Sequence, residues 1–130
     1  FRVNGDNVDT LFTTDAANDL ITVAGNIHTS VYDYGTTADI NVDFNKESLQ
    51  KAVLNGNVAI DTPAANKGVG KSIMIEISGD NSARDITWNS DWGFIGEKPS
   101  SLPANKVAML SMSCFGVQDL HVRCSYAVQD

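Results

Sequence analysis

From Asn57 to Tyr126, apolar and polar residues alternate in short runs, which is the period of β-strands rather than of helices. The clearest run is Lys71–Ser78. Ile73, Ile75 and Ile77 share one face there, and Ser72, Met74, Glu76 and Ser78 share the other. A turn at Gly79–Ala83 leads into a short strand that ends on Trp88, in phase with Ile86, so Trp88 reads as core. The loop Asn89–Pro103 follows. Strands over Lys106–Phe115 and Leu120–Val128 then close the chain around a turn at Gly116–Asp119. Upstream, Ile40, Val42 and Phe44 alternate with Asn41 and Asp43. Ser48–Leu54 is also read as β, because the Asn-Gly-Asn triplet at 55–57 predicts a hairpin into Val58–Ile60. About seven short strands with turn signals between them predict an all-β fold, an antiparallel β-sandwich of jelly-roll type.

The first thirty residues have a different texture. Phe1–Val3, Leu11–Phe12, Leu20–Val23 and Asn26–Ile27 are very short apolar pieces between Asn, Asp and Gly turns. Strands that short carry too few apolar side chains to enclose a core, so they need sister chains or a neighbouring domain to cover them. The expected organisation is a β-stem or connector over residues 1–35 and a β-sandwich over 36–130, with a junction at Tyr32–Thr37. The chain opens on Phe-Arg-Val-Asn-Gly rather than on methionine, and a longer polypeptide is expected.

Charge narrows the partners. The net charge of −7 comes without a cluster of Lys and Arg, which argues against nucleic acid. No apolar run approaches the ~20 residues that cross a bilayer as a helix, so membrane insertion is not expected. If the closing hairpin pairs even residues with even, Cys114 faces Leu120 or Val122, and Cys124 faces Leu110 or Met112. The sulfurs then share an apolar face without being partners, and both read as buried free thiols, compatible with synthesis in a reducing cytosol.

Motifs for chemistry fail on spacing. Gly68-Val69-Gly70-Lys71-Ser72 resembles the end of a phosphate-binding loop, but Ala65 stands where the first glycine is needed and a strand follows instead of a helix. Asp6, Asn7, Asp9, Asp15 and Asp19 match no EF-hand spacing. His28 and His121 are far apart, and His121 and Cys124 would face opposite sides of a strand. There is no nucleophile elbow. Asp33, Asp39, Asp43, Glu47, Asp91 and Glu97 read as solvated surface acids rather than paired catalytic carboxylates. No catalytic residue, metal ligand or cofactor is therefore assigned, and no enzymatic activity is expected. The candidate ligand-binding residues are Trp92 and Phe94 with Asp91 and Lys98, read as aromatics displayed on a polar loop where they could meet a sugar face or a protein; the alternative reading is that the aromatics cap the end of the sandwich or pack between subunits.

Several of these features recur together in one family. Pro63, Gly68, the run Ser72-Ile73-Met74-Ile75-Glu76-Ile77, Gly79-Asp80, Ile86-Thr87-Trp88, the Trp92-Gly93 loop, Pro99, Leu102-Pro103 and the final hairpin resemble the C-terminal tip domain of bacteriophage tail fibre and tailspike proteins. The resemblance covers residues 38–128. Asn89 stands where family members often carry proline. Leu11–Gly25 is similar to the strand, Asp-turn, strand segments of the stems that precede such tips. The resemblance implies an intertwined stem, a homotrimer, and a virion protein made in the host cytoplasm. It also implies binding to a bacterial surface glycan or protein, and contact with other virion proteins through the N-terminal stem. A capsid decoration or head-fibre protein would share these features. A depolymerase would need the long parallel β-helix that this segment lacks.

Overall fold

The computed structural model describes residues 30–130, together with the backbone of two strands further upstream. These two, β1 (Phe12–Asp15) and β2 (Leu20–Val23), pair antiparallel with Phe12 opposite Val23 and Asp15 opposite Leu20. The other residues of the expected stem before Ser30, with Asp6, Asp9, Asp19 and His28, lie outside the described residues.

The remaining strands are β3 (Val31–Asp39), β4 (Leu49–Ile60), β5 (Ser72–Ser78), β6 (Arg84–Trp88), β7 (Gly93–Phe94), β8 (Ser101–Leu102), β9 (Val107–Cys114) and β10 (Val122–Val128). They form one sheet in the order β7-β10-β9-β5-β4-β6-β8, with β3 on the other edge of β4. The fold is all-β, as expected. The sheet is mixed, however, and the expectation of antiparallel pairing throughout is corrected. β4 runs parallel to β3, β5 and β6, and β7 runs parallel to β10. Parallel neighbours need a connection that carries the chain back to the same end. Residues 40–48 and 61–71 supply two such returns. They pack on the core through Ile40, Val42, Phe44 and Ala64, all buried. Asp43 and Ala65 form a bridge between the two returns, so the alternation at 40–44 marks a buried return segment and not a ladder strand.

β4 is the element that curls the sheet. Its first half (Leu49–Val53) pairs with β5, and its last residues (Val58–Ile60) pair with β6. The hairpin expected at Asn55–Asn57 is absent. The chain runs straight through, with Gln50, Ala52, Leu54, Val58 and Ile60 all facing inward. Curling brings β6 against the opposite end of the sheet. The Trp88 ring meets Phe94 of β7 at 4.9 Å and Tyr126 of β10 at 5.7 Å, both edge to face. The enclosed core includes Ile73, Ile75, Ile77, Ile86, Trp88, Leu110, Met112 and Val122. Trp88 is in the core, as its phase predicted.

The closing hairpin has the anticipated even-to-even register. Cys114 pairs with Val122 and Cys124 with Met112, and both thiols are free and buried. Burial pushes the Cys124 thiol up to about 12 and raises that of Cys114 as well. β10 begins at Val122 rather than Leu120. Asp119–His121 form a 3-10 turn instead, which leaves Leu120 exposed rather than on the apolar face. Gly116 allows this tight turn, because an added Cβ would lie 2.2 Å from His121 Nδ1. The junction expected at Tyr32–Thr37 is itself part of β3, and a boundary after residue 35 falls inside that strand. No helix among the described residues is long and apolar enough to cross a membrane.

Candidate functional site

The loop after β6 is aimed by Asn89. Its backbone N–H donates to Ile60 O (3.0 Å), its side-chain amide donates to Asp61 O (3.1 Å), and its Oδ1 accepts from Asp91 N (2.9 Å). These bonds tie the loop to the end of β4.

This path separates the four residues expected to act together. Trp92 is only 4% exposed, so the expectation of a displayed indole is corrected. Its Nε1 donates to Asp119 Oδ1 at 2.8 Å, and the ring packs in the core. The same carboxylate accepts from Ala64 N at 2.9 Å and pairs with Lys67 at 3.1 Å. Burial raises the Asp119 pKa, but the bonds from Trp92, Ala64 and Lys67 and the lysine charge outweigh it, and the net shift is downward. Trp92 therefore belongs to a lock joining three loops. Phe94 is half-buried against Trp88, with Lys98 Nζ 5.6 Å from its ring centroid. Asp91 and Lys98 are exposed. Of the four, only Phe94 and Lys98 are brought together.

The apolar residue that this loop displays is Ile95, 67% exposed. It shares a shallow recess of about 270 Å³ with Phe115 (72% exposed), Arg123 and the serines at 111, 113 and 125. Sequence reasoning missed both apolar residues. Phe115 had left a signal, since it is an odd position following a strand whose even positions face inward.

The larger surface is the outer face of the sheet. One row across it reads Val31, Leu49, Met74, Ser111, Ser125, and the next reads Asp33, Lys51, Glu76, Met109, Ala127. Val31, Leu49 and Met74 are 49%, 43% and 42% exposed, and Val53 and Met109 are exposed beside them. Val31, Leu49, Met74 and Met109 border a depression of about 220 Å³ together with Lys51 and Glu76. Lys51 pairs with Asp33 at 3.2 Å. The Asp33 carboxylate is held below its ordinary value by the Gly35 N–H and then by Lys51. Apolar side chains on four adjacent strands, edged by serines and a few opposite charges, make a surface suited to burial against another surface.

Among the described residues no group of three or more His, Cys, Asp or Glu side chains is placed to hold a metal ion. Comparison with family models, with curated proteins and with solved structures gives no match to this chain. The fold and these surfaces define an all-β protein built on a curled mixed sheet, with an apolar patch on its outer face.

Proposed function

We propose that the chain is a virion structural protein, the tip of a phage tail fibre or tailspike, which assembles as a homotrimer and binds the host cell surface. In this reading the curled sheet is the jelly-roll-like body of the tip, and residues before β3 form the stem that meets other virion proteins. The observation that carries the reading is the apolar outer face of β3, β4, β5 and β9, with Val31, Leu49, Val53, Met74 and Met109 exposed on it. A patch of this kind on a lone body is costly in water, and subunit packing removes it. The same face carries Asp33, Lys51 and Glu76, so copies related by rotation can match opposite charges around an apolar centre. Three copies on one axis would also multiply weak contacts with a host glycan or protein without any new contact.

Analytical ultracentrifugation of residues 1–130 tests the assembly. The expected result is a trimer at micromolar concentration. The pair Met74→Lys and Met109→Lys should give a monomer with an unchanged far-ultraviolet spectrum, because both side chains point away from the core. A wild-type chain that stays monomeric at that concentration overturns the reading.

A further inference from the structure

The two tyrosines of β3 line a groove that the preceding reading leaves unused. Tyr32 and Tyr34 are even positions of the strand and face away from the Val31–Asp33 side. Their rings meet edge to face at 5.0 Å. With Asp39, Asn41, Asp43, Lys46 and Thr62 they border a groove of about 410 Å³, within the size range of small-ligand sites.

The walls are held from behind. Gln50 is 2% exposed, and its Nε2 donates to Asp43 O at 3.2 Å and Glu47 O at 3.0 Å. Its Oε1 accepts from Tyr34 Oη at 2.8 Å, and the same hydroxyl reaches Asn41 O at 3.1 Å. A buried amide thus joins the aromatic wall to the return segment 40–48. Opposite, Thr62 Oγ1 donates to Asn41 Oδ1 at 2.8 Å, which leaves the Asn41 amide N–H groups to donate elsewhere. Asp43 Oδ1 accepts from Asn45 N at 2.8 Å and Asn66 Nδ2 at 2.7 Å. Lys46 Nζ lies 4.5 Å from the Tyr32 ring centroid. Burial pushes the Tyr34 hydroxyl up to about 12, so it remains a neutral donor.

We propose that this groove binds an uncharged sugar ring, such as a neutral hexose at the end of a glycan. Two carboxylates and an amide offer acceptors and donors to neighbouring hydroxyls, and the tyrosine rings offer an apolar wall to ring C–H groups. Charge selects among sugars. Of the charged side chains lining it, Asp39 and Asp43 outnumber Lys46, whose ammonium rests over Tyr32, and Lys71 just outside is held by Asn45 and Asn66, so a uronate or sialate carboxylate would face two acids and no unengaged cation. This deepens the host-surface reading by giving the glycan an address, yet it stands on the groove within one chain, so binding here does not require the trimer.

The test is amide NMR on residues 1–130 titrated with glucose, galactose, mannose, N-acetylglucosamine and, separately, glucuronate, each to about 50 mM. At least one neutral sugar should shift the resonances of Tyr32, Asn41, Asp43 and Lys46, with a Kd in the millimolar range. Asp39→Ala and Tyr32→Ala should each weaken that binding about tenfold, with melting temperature recorded as a control on folding. Absence of shifts with every neutral sugar overturns the proposal. So does glucuronate binding tighter than the neutral sugars, or shifts confined to Ile95 and Phe115. Sedimentation of the same samples reads the oligomer independently.

Discussion

Trp92 and Asp119 carry much of the order at the scale of single residues. One carboxylate satisfies an indole N–H from the loop after β6, and a backbone N–H and an ammonium from the 61–71 return, so with its own turn it joins three loops. Trp92→Ala should cost about 3–5 kcal/mol, the range for large core aromatics, and should leave Asp119 one donor short. Urea melts check this, and a loss below 1 kcal/mol would return Trp92 to the surface. Asp119 has a pKa lowered by folding, so its contribution is present above the unfolded value and disappears as pH falls through the folded one. Asp119→Asn keeps an acceptor for Trp92 but leaves Lys67 without its counter-charge. It should destabilise by about 1–3 kcal/mol at pH 7. The gap between wild type and variant should narrow as pH drops below about 3.9. A gap that is constant with pH would mean that folding does not favour the charged form of Asp119.

At the scale of elements, β4 shows how long-range pairing overrides a local turn signal. Asn-Gly flanked by apolar alternation is strong hairpin chemistry. Here Asn57 Oδ1 instead accepts from Asp85 N at 3.0 Å, tying β4 to β6. Gly56 is not among the glycines at positive φ, which among the described residues are Gly35, Gly70 and Gly96. A Cβ added at Gly56 would meet only Ala38 Cβ at 3.8 Å, an ordinary contact. Gly56→Ala should therefore be neutral or stabilise by about 0.4–1 kcal/mol, through a less flexible unfolded chain. In a type I′ turn the same change would be clearly destabilising, so a thermal melt separates the two conformations. A clue to the continuous strand was already present, because Leu54, Val58 and Ile60 keep one phase through the triplet.

For the whole molecule, the outer face and the groove lie on opposite sides of β3. Val31 and Asp33 belong to the sheet's outer surface, and Tyr32 and Tyr34 belong to the groove. A trimer packed through the outer face would leave the tyrosines accessible, so association and sugar binding can be varied separately. The double methionine variant should lose assembly and keep its neutral-sugar shifts. Loss of both together would mean the two surfaces act as one.

The sequence by itself determined the all-β class, the inward faces of β5, β9 and β10, the core position of Trp88 and the register that keeps Cys114 and Cys124 apart. Each of these follows from the two-residue alternation of side chains, which the local backbone enforces. Only the tertiary structure decided that β4 runs unbroken beside three parallel neighbours, that Trp92 turns inward to Asp119, and that Ile95 and Phe115 border one recess. It also decided that Met74 and Met109 join one surface. Those outcomes depend on which distant segment arrives alongside, and that is set by the path of residues 40–48 and 61–71 across the core, not by periodicity within a strand.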